Sequence, residues 1–241
     1  ELEDGILPTL ITLEGEHEEA ESIVREVVRL RGEGILLKEM AVLYRVNALS
    51  RVLEDAFRSE GVPYVVARGT AFYARQEIKQ ALSYLRLLVN PRDDVAFVRI
   101  INTPTRGIGA TSISRLEHLA RSRGLSLLGA ISFVSKEQGF TQRAVTAMKK
   151  FAATCEQWQT DSQSEESLTA ASSLADLVER IVRESGLEEF YSKNAGEDDL
   201  ERLQNLEELV SAASDFEERI EEGEEASPTP LHMLFSFLEH V

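Results

Sequence analysis

The chain has 241 residues, 43% of them hydrophobic and 28% charged, with a formal net charge of −16, four histidines and one cysteine. That is ordinary globular composition, and it excludes wholesale disorder, a collagen-like repeat and a disulfide-built scaffold. No apolar run approaches the roughly 20 residues that span a bilayer, so no membrane partner is expected. Residues 1–19 are acidic, without the basic start and apolar stretch of a secretory leader. The lone Cys155 fits a reducing, cytoplasmic setting, and the scattered histidines offer no zinc site. A chain beginning at Glu1 rather than Met is expected to be a piece of a longer protein.

In chain order, Pro8–Leu13 alternates and is rich in β-formers, which predicts a strand. His17–Arg31 places Ile23, Val27 and Leu30 on one helical face and stops at Gly32 and Gly34. Met40–Tyr44 is a short apolar run that reads as a buried parallel strand. Asn47 or Ser50 can cap a helix that runs to about Glu60, and Pro63–Ala67 predicts a third strand. This β-α-β-α-β order implies parallel pairing. From Arg75 on, helices dominate. They are predicted at about 78–89, 93–102, 111–123, 126–134, 139–158, 171–185, 198–220 and 229–240, with polar connections at 159–167 and 217–230. The expected fold is thus an α/β front carrying a partial parallel sheet over residues 1–70, followed by a mainly α-helical domain over 71–241.

Charge is uneven along this chain. Between Val42 and Gly124 there are 13 Lys and Arg against 7 Asp and Glu, while the remainder carries 13 basic and 35 acidic residues. Twelve of the 13 central cations are arginine, the side chain best shaped for bidentate phosphate contact.

Two motifs lie in that basic region. Tyr44-Arg45-Val46-Asn47-Ala48-Leu49-Ser50-Arg51 leaves a predicted strand and enters a helix, where α/β folds bind ligands. Arg45 and Arg51 can neutralise phosphates, and Asn47 and Ser50 can donate hydrogen bonds at a helix N-terminus. On physical grounds this reading and a plain helix cap with solvated arginines are evenly matched. The second motif, Thr103-Pro104-Thr105-Arg106-Gly107-Ile108-Gly109-Ala110-Thr111, falls between two predicted helices. Glycines on either side of one apolar residue permit backbone N–H groups to face a phosphate, with Ile108 plugged into the core and Thr111 capping the next helix. That is the pattern of a helix-hairpin-helix, and a tight structural turn is its alternative. A third stretch, Gly69–Lys79, pairs Phe72 and Tyr73 beside cations, with one ring expected in the core. The Gly-x-x-x-x-Gly-Lys phosphate loop, a magnesium-holding acidic pair and the common hydrolase signatures are missing from the sequence, so no catalytic residue and no metal ligand is predicted.

The stretches AVLYRVNALSRVLEDAF, GVPYVV and AFYARQEIKQALSYLRLLVNPRDDVAFVRIINTPTRGIG strongly resemble the UvrD/PcrA/Rep group of superfamily 1 DNA helicases, and ERLQNLEELVSAASDFEE resembles a later segment of theirs. The resemblance implies the front of the second RecA-like motor lobe (2A, residues 1–70) followed by its helical insertion (2B, residues 71–241). It implies ATP-driven 3′-to-5′ DNA unwinding in replication or repair for a longer parent. ATP and Mg2+ would bind outside this piece, which alone is expected to be inactive, cofactor-free and monomeric. It further implies single-strand contacts at Arg45, Asn47, Ser50 and Arg51. Contacts to duplex backbone are implied at Thr105, Arg106, Gly107, Ile108, Gly109 and Thr111. Relatives often carry a basic residue where Ala71 stands, and its absence weakens the expectation of a contact near the strand junction. The competing expectation is an acidic helical module that docks proteins of a repair complex, warranted by the acidic remainder of the chain.

Overall fold

The computed structural model describes residues 8–45, 49–66, 71–136, 138–163, 173–193, 196–221 and 229–241, and divides the chain into two units, Glu1–Phe72 and Tyr73–Val241. In the first unit, α1 (Glu16–Gly32) opens with Glu16, Glu18 and Glu19 and closes with Arg29 and Arg31, charges that complement the helix dipole at both ends. Its buried Ala20, Val24 and Val27 share one face, and that face packs on α2 (Ser50–Ser59). Val24, Val27, Phe57 and Val62 form the core of this unit, flanked by Ile23, Leu37, Met40 and Val42.

The expected parallel sheet is absent: among the described residues there is no strand. Residues 8–13, 40–44 and 63–66 carry no regular structure, and Ala67 lies outside the described residues. A strand exists only as part of a ladder, and no backbone hydrogen bond joins these segments to one another among the described residues. Met40 and Val42 pack on the core, but most of the apolar side chains of these segments have little to pack against: Leu10 and Leu43 are each 93% exposed, Ile11 64% and Val65 91%. β-propensity describes a fit to a pleated, half-buried surface, and the described residues supply no such surface.

The second unit is helical throughout its described residues. It comprises α3 (Gln76–Val89), α4 (Asp94–Ile100), α5 (Ala110–Arg123), α6 (Leu127–Ala130), α7 (Gln142–Gln163), α8 (Leu174–Ser185), α9 (Leu187–Ser192), α10 (Glu197–Glu221) and α11 (Pro230–His240). Helix α3 is central, touching α4, α7, α8, α10 and α11, with Ile78, Ala81, Tyr84, Leu85 and Leu87 fully buried. Surrounded this way it also buries polar groups, and each finds a partner, as burial requires. Glu77 Oε1 accepts from Asn205 Nδ2 at 2.7 Å, Asn205 Oδ1 accepts from Arg75 Nη1 at 2.6 Å, and Gln80 Oε1 accepts from Tyr191 Oη at 2.6 Å. These bonds tie α3 and its leading residue to α9 and α10.

Three boundaries differ from the periodicity reading. Helix α9 was not expected; Gly186, at φ +82°, ends α8 and the chain re-enters a helix at once, burying Leu187 and Tyr191. Helix α7 continues into the polar stretch to Gln163, because Trp158 Nε1 donates to Glu184 at 2.6 Å and Asp161 pairs with Arg180. Helix α10 continues to Glu221, and the Glu217 carboxylate accepts the N–H of Leu174 at 3.0 Å. That acceptor satisfies one of the orphan donors in the first turn of α8. No helix among the described residues is long and apolar enough to cross a membrane.

Candidate nucleic-acid interface

The link from α4 to α5 is built around one side chain that the sequence reading passed over. Asp93 caps α4 by accepting from Ala96 N at 2.8 Å, and the helix runs out at Ile100. Asn102 follows, and its Oδ1 accepts both Arg106 N–H at 2.9 Å and Ile108 N–H at 3.1 Å. One amide thereby holds the alternate N–H groups of the hairpin. The Thr103–Pro104 bond is cis. Gly107 has φ +74°, a conformation that favours glycine, and the chain then turns Ile108 fully into the core. Gly109, at φ −83°, is the N-cap of α5. Asn102→Ala is expected to leave both amides without their acceptor and to lower stability by about 1–2 kcal/mol, read from a thermal melt.

The exposed side of this turn carries Thr105, Gly107, Gly109 and Thr111. The first turn of α5 has no acidic residue and no side-chain cap. Gly109 O takes up the N–H groups of Ser112 and Ile113, whereas those of Gly107, Gly109, Ala110 and Thr111 meet no acceptor among the described residues. Unpaired N–H groups at the positive end of a helix dipole favour an anion.

Arg106 is the exception in this motif, because its guanidinium points inward. Nη1 donates to the carbonyls of Ile100, Pro104 and Ile101 at 2.9, 3.2 and 3.4 Å, and Nη2 donates to Tyr84 Oη at 2.6 Å and to Ser185 O at 3.2 Å. It therefore closes the carbonyl ends of both α4 and α8, where a cation is favoured. The Tyr84 and Phe151 rings flank it, with centroids 5.9 and 5.1 Å away. Burial pushes the Tyr84 hydroxyl up to about 12 although Arg106 beside it pulls the other way. The hydroxyl stays protonated and donates to Thr103 O at 2.5 Å.

The other motif lies in the first unit and is only partly exposed. Arg45 is exposed. Asn47 lies outside the described residues. Ser50 and Arg51 are both buried at 1% exposure, and Arg51 Nη1 pairs with Asp55 at 3.2 Å. Of the aromatic pair, Phe72 is the core ring, its N–H held by both carboxylate oxygens of Glu54 at 3.1 and 3.2 Å, and Tyr73 is half-buried. Among the described residues no group of three His, Cys, Asp or Glu side chains is placed to hold a metal ion.

A family model described as the UvrD-like helicase C-terminal domain matches residues 1–241, the whole chain. The chain belongs to this family. Two curated relatives show how much of such a protein it represents. DNA helicase II of Escherichia coli is 38% identical over 237 residues, covering 98% of this chain and 31% of that protein. ATP-dependent DNA helicase PcrA of Staphylococcus epidermidis is 34% identical over 206 residues, covering 84% of this chain and 27% of that protein. The chain thus spans less than a third of the length of these relatives. Two of its residues beside the hairpin, Asn102 and Arg143, escaped the sequence reading. For Asn102 a signal existed, since an Asn just past a helix end habitually turns its side chain onto backbone N–H groups. For Arg143, on α7, nothing local pointed to the hairpin.

Proposed function

We propose that this chain is the DNA-engaging part of an ATP-dependent 3′-to-5′ DNA helicase of replication or repair. On this reading residues 1–70 belong to the second motor lobe and residues 71–241 form its helical insertion. The parent protein acts on DNA in the cell interior and binds ATP and Mg2+ through residues outside this chain. Repair proteins are its further partners. The α4–α5 hairpin grips the duplex backbone ahead of the single-strand junction, and Arg45 with Asn47 borders the single strand. The observation that carries the reading is the hairpin itself, with exposed glycines and a run of unpaired N–H groups in a chain that belongs to the UvrD-like family. Backbone N–H groups contact phosphates without reading bases, so binding is independent of sequence.

The test titrates the purified chain with a duplex bearing a 3′ single-strand tail over a range of salt. Affinity should fall steeply and linearly with log salt and be equal for unrelated sequences. The chain should turn over no ATP with or without that DNA, because it has neither a phosphate cradle nor paired magnesium carboxylates. Absence of salt-dependent DNA binding, or ATP hydrolysis by this chain alone, overturns the proposal.

A further inference from the structure

A side chain from a distant helix lies against residue 107. A methyl carbon built on Gly107 would stand 2.6 Å from Arg143 Nε and 2.9 Å from both Cζ and Nη2. The Arg143 guanidinium thus lies directly on the hairpin backbone. It is exposed, and no acidic side chain among the described residues pairs with it, whereas Arg29, Arg51, Arg180 and Arg202 all have carboxylate partners. Arg143 also sits in the first turn of α7, where the helix dipole opposes a cation. Local stability therefore gives little reason for an arginine at this position. The arrangement is reciprocal, for Arg115 of α5 donates to the carbonyl of Gly139 in the turn that leads into α7. Each of the two loops is covered by an arginine from the helix that follows the other. Across Thr105–Lys150 the chain has eight Lys and Arg against two Glu, a basic stretch within a strongly acidic protein.

We infer that Arg143 is a phosphate-contacting residue of the duplex-binding surface, delivered to the hairpin by α7. The inference rests on the proposed function, and the ligand is the phosphate backbone of double-stranded DNA. The guanidinium already lies beside Gly107, on the exposed face of the hairpin. Its planar fork can engage two oxygens of one phosphate while the neighbouring hairpin N–H groups take another. Gly107 is needed for its φ, and its lack of a side chain lets this guanidinium lie close to the hairpin backbone.

The test compares Arg143→Gln and Arg143→Lys with the native chain. Each is titrated with 3′-tailed duplex and with single strand alone between about 50 and 200 mM salt, alongside a thermal melt. Arg143→Gln should weaken duplex binding about fivefold or more at low salt and lower the salt slope by about one. Single-strand affinity and the melting temperature should stay near native values, and Arg143→Lys should restore the slope. An unchanged slope in Arg143→Gln overturns the inference, as does a loss of duplex affinity that accompanies a lower melting temperature and is not rescued by lysine. If Gly109→Ala still weakens duplex binding in that case, the hairpin reading stands and only the role of Arg143 falls. If the native chain itself shows no salt-dependent duplex binding, the proposed function falls with it.

Discussion

Arg106→Ala is expected to lower the stability of the second unit by about 3 kcal/mol or more, because truncation leaves several part-buried acceptors without donors at once. The acceptors are the carbonyls that end α4 and α8, together with the Tyr84 hydroxyl. For a unit of this size the change corresponds to a fall in melting temperature of roughly 6–12 °C. Arg106→Lys should recover only part of it, since an ammonium is a point donor and cannot reach toward both helix ends as the guanidinium fork does. Loss of duplex affinity should follow loss of folding, at the same temperature and to the same extent. A mutant that melts like the native chain but has lost duplex affinity would show that Arg106 faces DNA in solution, and the inward role would be wrong.

The two glycines of the hairpin should respond differently to the same substitution. Gly107→Ala places a side chain at φ +74°, which costs about 1–2 kcal/mol, and pushes the Arg143 guanidinium away from the hairpin. It should lower both the melting temperature and duplex affinity. Gly109→Ala introduces no such strain, for φ is −83° and nothing lies within 4 Å of the added carbon. The smaller conformational freedom of alanine in the unfolded chain and its weaker N-capping act in opposite directions, so stability should change by less than about 0.5 kcal/mol. The added methyl nonetheless faces open space where a phosphate would approach. Duplex affinity should therefore drop roughly tenfold, about 1.4 kcal/mol, with single-strand affinity nearly unchanged. Melting temperature and both affinities measured on each single mutant separate the two effects. A folded Gly109→Ala chain with native duplex affinity would sink the claim that the hairpin holds phosphate.

Apart from α9, the helices of the second unit and the position of the hairpin were legible in the residues themselves. A helix closes its hydrogen bonds within four residues, so apolar spacing, Asp93 as a cap and Asn90-Pro91 as a stop are local facts that can be read along the chain. The burial of Ile108 between two glycines belongs to the same class. The three expected strands were a different matter, since Ile11 and Val65 have strong β-preferences yet form no strand without a neighbouring ladder. Side-chain direction was equally out of reach. Arg45, Arg51, Arg106 and Arg143 are the same residue type in a string, yet Arg51 and Arg106 turn inward onto a carboxylate and onto helix-end carbonyls. Arg45 and Arg143 stay exposed, and Arg143 reaches a hairpin far from it in sequence. Which way a guanidinium points depends on the acceptors within about 3 Å of it: for Arg51 that is Asp55 on its own helix, whereas for Arg106 packing adds Tyr84 of α3 and Ser185 of α8. Composition and periodicity placed the cations on their elements, and for those of the second unit only the packing of α3, α4, α7 and α8 decided that Arg106 holds the protein together and Arg143 is left at the hairpin surface.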